Sequence, residues 1–206
     1  MIQIHSAEHP YDVPEIAASA LSALTRAEAM GLIPTDDVIE RLDERTMRRV
    51  TQRIAERGIG KALVLELGGA RAHRAHELRR ILRQLSAVLE ESPVPDLEWP
   101  RLRDVLGLEL LASLVGVSLA SARRYLAGER STPDDVAARL HFVALVVGDL
   151  AGTYDELGIR RWFDRARSAL GGRAPRAILG PGFDPESADT RVVARLSRSL
   201  AGAVAT

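Results

Sequence analysis

The segment from Ser118 to Ala127 has the side-chain types and spacing that most clearly indicate a function. That function is the recognition of another molecule. Read as a helix, its outer face presents small groups first and guanidinium groups later: Ser118, Ala120, Ser121, Arg123 and Arg124. Residues near the start of such a helix can approach base edges in the major groove of DNA. Guanidinium groups pair with O6 and N7 of guanine or with a phosphate. The pattern therefore predicts a helix that reads a double-stranded operator.

The residues before this segment predict the tight turn that such a helix needs. Ala112 is small enough to lie where two short helices cross, and Gly116, four residues later, permits the positive φ of the turn. Val117 would fill the space between the helices, and Ser118 can cap the second helix. Ala122 and Leu126, four residues apart, would lie on the inner face of that second helix. Together these residues predict a helix-turn-helix within residues 101–152.

Other guanidinium groups flank the motif and are candidates for contacts with the DNA backbone: Arg101, Arg103 and Arg130. The alternative is a helix-turn-helix that serves only as the scaffold of a protein-interaction module. Salt dependence separates the two hypotheses, because phosphate contacts make affinity fall steeply with ionic strength.

The remaining groupings of reactive side chains predict no catalysis and no cofactor. His73 and His76 lie three residues apart on a predicted helix, but no suitable third ligand is near, so we expect no metal site. The sequence Gly58-Ile-Gly60-Lys61 lacks the first glycine and the Ser/Thr of a phosphate-binding loop. Two arginine runs, over residues 41–57 and 71–83, are expected to be solvated helix faces, with a DNA-backbone contact or a partner surface as the alternative.

Composition favours an all-α fold. Of the 206 residues, 46% are hydrophobic but only 4% are aromatic, so the core must be mainly aliphatic, as in helices packed on helices. The formal net charge is +0, so any affinity for DNA must come from a local group of arginines. The absence of cysteine excludes disulfides and zinc fingers. We find no signal peptide and no membrane span, and expect a cytoplasmic protein.

A proline-rich segment, residues 92–100, is the predicted linker, because proline cannot continue a helix. Residues 1–91 before it are expected to be helical, with dimerisation or partner binding as candidate roles. One helix should begin near Glu15 and end at Gly31, with an apolar face made of Ile16, Ala20, Leu24 and Ala27. Another should begin at Pro34–Asp37. The apolar stripe of the second would be Val38, Leu42, Val50 and Ile54. The segment 59–67 fits either a strand or a buried helix.

The order of motifs after residue 102 is distinctive. Behind the helix-turn-helix come Trp162-Phe163, then the turn Leu170-Gly-Gly-Arg-Ala-Pro175, then a short apolar segment and a last helix over residues 189–202. This order resembles the Xre/MbcA/ParS antitoxin family over about residues 102–206. The resemblance identifies residues 153–206 as a domain of the toxin-binding type.

What the resemblance implies is an antitoxin that also acts as a transcription regulator. Such proteins repress their own operon and neutralise a RES-domain toxin, an enzyme that consumes NAD. The residues carried over to the partner-binding domain are Trp162, Phe163, Arg173, Arg195 and Arg198; Trp162 and the Gly-Gly-x-x-Pro positions are expected to build that domain. We expect a homodimer, whose operator would be pseudo-palindromic. The alternative is a free-standing regulator without a toxin. The loop over residues 180–188 is longer than is typical, and residues 1–91 have no counterpart in the family.

Overall fold

The computed structural model describes residues 2–69 and 74–201, and their elements confirm the predicted all-α class. Two short parallel strands, β1 (Ser6–Ala7) and β2 (Arg41–Leu42), accompany the helices. The helices are α1 (Pro14–Ala29), α2 (Glu44–Glu56), α3 (Lys61–Leu67), α4 (Ala75–Glu90), α5 (Pro95–Leu106), α6 (Leu108–Val115), α7 (Leu119–Leu126), α8 (Asp134–Ala151), α9 (Glu156–Asp164), α10 (Pro175–Ile178) and α11 (Ala188–Ala201), with a 3-10 turn at Ser168–Leu170.

Helix α8 is the centre around which the other helices pack. It contacts α1, α5, α6, α9 and α11. From Leu140 to Val147 its side chains are buried almost without interruption, although they include His141. A helix that is apolar on nearly all sides must be covered on all sides, which explains its central place.

The N-terminal helix α1 follows its sequence pattern and lies in the same core as α8. The predicted apolar face is buried, with Ile16, Ala20, Leu24 and Ala27 each at most 1% exposed. Gly31 follows the helix with a φ of 75°, as its predicted role as a stop requires. Because α1 packs against both α4 and α8, buried residues from Tyr11 to Val193 form one hydrophobic cluster.

The prediction of a helix start at Pro34–Asp37 is wrong. Helix α2 begins after Asp43, whose carboxylate accepts a hydrogen bond from the Thr46 amide at 2.7 Å. The Asp37 carboxylate is bound instead by the guanidinium groups of Arg49 and Arg53. Val38 and Leu42 therefore both lie before the helix; Val38 is 69% exposed, whereas Leu42 is buried in β2. Val50 and Ile54 are buried on α2, as predicted. The ambiguous segment 59–67 forms helix α3 over most of its length.

The prolines of residues 92–100 begin a helix. Pro95 lies at the first position of α5, where a missing N–H costs nothing, and Pro100 follows within the second turn. Between them, Trp99 is buried, and its Nε1 donates to the Thr132 hydroxyl at 3.0 Å. The structure thus places residues 95–100 in a helix rather than in a linker.

Some predicted features fall outside the described residues: Arg71, His73 and Gly202. Among the helices that are described, none has the length and apolar character needed to cross a membrane.

We predict that Gly148→Ala destabilises the fold, because α1 and α8 cross at this glycine. A Cβ atom at position 148 would lie 2.8 Å from the Arg26 Cα, a distance that forces the two backbones apart. The expected loss of unfolding free energy in urea is about 1–3 kcal/mol. Gly152→Ala is the matched control at the end of the same helix, since nothing lies within 4 Å of its added methyl group. Equal stability of the two variants would show that this crossing does not constrain the fold.

Candidate nucleic-acid interface

Helices α6 and α7, each of eight residues, are joined by the tight turn that the sequence predicts. Gly116 ends α6 with φ 74° and ψ 38°, a left-handed conformation that favours glycine. The Val117 amide donates back to the Ala112 carbonyl at 3.0 Å and closes the turn. Ser118 then caps α7, since its Oγ accepts from the Ser121 amide at 3.1 Å. The local sequence therefore builds the turn as predicted.

The inner face of α7 packs through two residues. Ala122 is fully buried, and the Tyr125 ring stacks on the Trp99 ring of α5, with 5.6 Å between centroids and 27° between planes. Leu126, predicted to share the inner face with Ala122, is only half-buried. Sequence reasoning missed the Trp99–Tyr125 contact, although the spacing of three between Ala122 and Tyr125 could have indicated it.

The outer face of α7 carries the predicted DNA-binding side chains. Ser118, Ala120, Arg123 and Arg124 are exposed, and Ser121 is half-buried. The Ser118 hydroxyl donates to the Ser121 hydroxyl at 3.0 Å. Within residues 2–69 and 74–201, the side chains of Arg123 and Arg124 have no hydrogen-bonding or ionic partner. The exposed Arg130 guanidinium lies 5.7 Å from the centroid of the Tyr125 ring, so the structure brings it to the end of α7.

Other arginines near the motif are engaged within the protein. Arg101 was predicted to contact the DNA backbone, but its side chain is only 10% exposed and its Nη2 donates to Glu28 at 3.0 Å. The exposed Arg103 side chain pairs with Asp104 at 2.6 Å. Arg139 donates from Nε to the Val115 carbonyl at 2.9 Å and so satisfies the end of α6. Arg160 does the same at the end of α5, at 2.6 Å from the Val105 carbonyl.

A buried polar pair supports α5 beneath the motif. His141 Nδ1 lies 2.6 Å from Glu98 Oε1, and His141 Nε2 lies 3.1 Å from the Glu90 carbonyl. A carbonyl only accepts, so Nε2 must carry a hydrogen, and a second proton is shared between Nδ1 and the carboxyl group. Burial raises the pKa of Glu98, and the hydrogen bond and charge of His141 oppose that rise.

The aromatic pair of the C-terminal region forms part of the core. Trp162 is 2% exposed and Phe163 is 0% exposed, and their rings meet edge to face with centroids 5.3 Å apart. Arg167 places its guanidinium 5.2 Å from the centroid of the Trp162 ring. Both residues were carried over as partner-binding, but their burial leaves no surface with which to touch a partner. They build the domain, as was expected for Trp162.

The three arginines carried over as partner-binding lie on the surface but differ in their contacts. Arg173 pairs with Asp189 at 2.8 Å, beside the predicted turn, where Gly171 and Gly172 have positive φ. Arg198 lies 3.9 Å from both Glu90 and Asp149. Arg195 is exposed and, in the part of the chain that the structure describes, has no partner.

No group of three or more His, Cys, Asp or Glu side chains among the described residues could hold a metal ion. Comparison with protein-family models, with curated proteins and with solved structures found no match to this chain.

We predict that Glu98→Gln removes a pH dependence from the stability of the protein. A carboxyl group whose pKa is raised on folding adds stability below its ordinary pKa of 4.5, and that stability is lost as pH rises through the raised pKa. Glutamine can still donate to His141 Nδ1 but does not titrate. The unfolding free energy of the parent minus that of the variant should therefore fall between pH 4.5 and neutrality. A constant difference over this range would contradict a raised pKa at Glu98.

Proposed function

We propose that this protein is a DNA-binding transcriptional repressor that reads its operator with α7. The observation that carries the proposal is the contrast among arginines. Four arginines around the motif are bound to carboxylates or backbone carbonyls: Arg101, Arg103, Arg139 and Arg160. The side chains of Arg123 and Arg124 instead project from α7 without a partner in the described residues, and Arg130 lies against the Tyr125 ring. Unpaired guanidinium groups retain all their donors for guanine edges and phosphates.

The order of side chains along α7 supports a division of roles. Ser118, Ala120 and Ser121 occupy its first turn, the part of a recognition helix that comes closest to base edges. The Ala120 methyl group suits contact with a thymine methyl group, and a serine hydroxyl can donate or accept. Arg123, Arg124 and Arg130 follow towards the other end, where they suit the phosphate backbone or a guanine. As a homodimer the protein would read two half-sites about one helical turn apart.

We propose in addition that the C-terminal domain binds a RES-type toxin, so that the repressor is an antitoxin that controls its own promoter. The order of motifs from the helix-turn-helix to the last helix supports this part of the proposal. Arg195 on α11 is the carried-over residue best suited to the contact, since it is exposed and has no partner in the described residues. The second candidate is a regulator without a toxin. The burial of Phe163 favours it, because it removes this aromatic anchor from the surface, whereas a buried Trp162 is expected for either candidate.

We predict that Arg123→Ala/Arg124→Ala weakens binding to a duplex taken from the region upstream of the protein's own gene. Each lost phosphate contact should reduce the steepness of log K against log salt by about 0.9, and a lost guanine contact should cost about 1–3 kcal/mol. Titration by fluorescence anisotropy at several salt concentrations measures both effects.

Arg45→Ala/Arg57→Ala is the matched control for this experiment. It removes two exposed arginines outside the motif and changes the net charge equally. Its salt dependence should match that of the parent protein, and a reduced slope would instead indicate a DNA-backbone contact in the run over residues 41–57. If the parent ignores the duplex at low salt, or if both double variants bind as the parent does, α7 is not a DNA-reading helix.

We predict that a RES-type toxin encoded beside the gene co-purifies with this protein and that Arg195→Glu weakens the complex at least tenfold, as charge reversal at a contact does. Arg191→Glu, one turn earlier on α11, is the control, since Arg191 is paired with Glu186. Affinities can be measured by titration calorimetry. Failure of the adjacent toxin to bind would leave the regulator without a toxin as the better description.

A further inference from the structure

The turn of the helix-turn-helix is covered by a loop from the C-terminal region. A Cβ atom placed on Gly116 would lie 2.6 Å from the Pro181 Cα and 3.0 Å from the Gly180 carbonyl oxygen. The two backbones therefore meet without any side chain between them. Glycine is required at position 116 twice, by its φ of 74° and by this contact.

Two further contacts hold the loop in place. On one side, Arg176 Nε donates to the Ser113 hydroxyl of α6 at 3.2 Å, and Arg176 Nη1 donates to Asp164 at 3.3 Å. On the other side, the Phe183 ring packs edge to face on the Phe142 ring of α8, with centroids 5.6 Å apart. The segment from Arg176 to Phe183 is thus fixed at both ends and rests on the turn in its middle.

Helix α7 is short and has a small buried face. It is eight residues long, buries Ala122 and Tyr125, and packs Leu119 and Leu126 only in part against the core. Isolated helices of this length are marginal in water, so the position of α7 depends on its contacts with the rest of the protein. At its N-terminal end, that contact is the turn at Gly116.

We propose that residues 176–183 form, together with α6 and α7, the DNA-reading part of the protein. They position α7 by holding the turn that precedes it. The inference rests on the proposed function of α7. In this role Arg176 and Pro181 are positioning residues and do not themselves contact DNA. This segment would thereby contribute to DNA recognition, although it lies sixty or more residues after the turn in the chain.

The experiment measures hydrogen exchange at the backbone amides of residues 117–126 together with DNA affinity. Ser113→Ala removes the α6 anchor of the loop, and Arg176→Ala removes that anchor and the contact with Asp164. Both changes are at surface side chains and should preserve the fold. We expect amide exchange in α7 to rise about tenfold and affinity for the upstream duplex to fall about tenfold. The salt slope should stay at the parent value, because no phosphate contact is removed.

Gly116→Ala tests the same contact at the turn, with Gly128→Ala as its control. Both glycines have positive φ, 74° and 69°, so both variants carry similar backbone strain. Nothing lies within 4 Å of a Cβ atom at position 128, so only Gly116→Ala displaces the loop. We expect a larger rise in amide exchange and a larger loss of affinity for Gly116→Ala.

The outcomes separate this inference from the proposed function. If the parent binds the duplex but exchange in α7 is unchanged by Ser113→Ala and Arg176→Ala, the loop does not position α7, and the inference is overturned. A reduced salt slope for Arg176→Ala would also overturn it, because Arg176 would then be a DNA contact. If exchange rises as expected but the parent does not bind DNA, the positioning is supported and the proposed function fails.

Discussion

The ion pair between Arg26 and Asp149 is the interaction on which the arrangement of the helices depends. Arg26 Nε and Nη2 donate to Asp149 Oδ1 at 3.2 and 3.0 Å, Arg26 Nη1 binds Glu90, and the Ser197 hydroxyl donates to Asp149 Oδ2 at 3.0 Å. Burial raises the pKa of Asp149, and Arg26 and Ser197 oppose the rise. A buried charge is tolerated only when its hydrogen-bonding groups are satisfied, so α1, α4, α8 and α11 must all be in place together.

Both proposed activities rest on α8, the helix that carries Asp149. On the DNA-reading side, Arg139 of α8 binds the end of α6, and His141 binds Glu98 of α5. On the C-terminal side, α11 packs on the same helix. The N-terminal region joins this framework through Arg26 and through Glu28, which binds Arg101 of α5. Helix α1 thus has a structural role that the family resemblance did not supply: it covers α8 and, through Glu28, braces α5.

The features that could be predicted from the sequence are those determined by residues close together in the chain. The buried face of α1 and the turn at Gly116 depend on residues within a few positions of one another, and both were predicted. The start of α2 was missed because Asp37 and Asp43 are equally good caps locally, and only the folded chain gives Asp37 to Arg49 and Arg53. Polar contacts between residues far apart in the chain leave no pattern in the local sequence from which they could be predicted. The local sequence around Arg101 is like that of an exposed arginine, although its side chain is only 10% exposed and pairs with Glu28.

Taken alone, the net charge of +0 favours a scaffold over a DNA-binding protein. In the folded chain it is no longer an argument against DNA binding. The 28 basic and 28 acidic residues cancel only as a sum. At physiological ionic strength the field of an exposed charge is screened over about 8 Å. The phosphates of bound DNA would therefore be attracted mainly by the charged side chains nearest to them. Near α7 those groups include Arg123 and Arg124, which lack partners in the described residues, and Arg130, which lies against Tyr125. Many of the other arginines are neutralised by their own fold. Local pairing, rather than total charge, therefore determines where this protein can hold a phosphate.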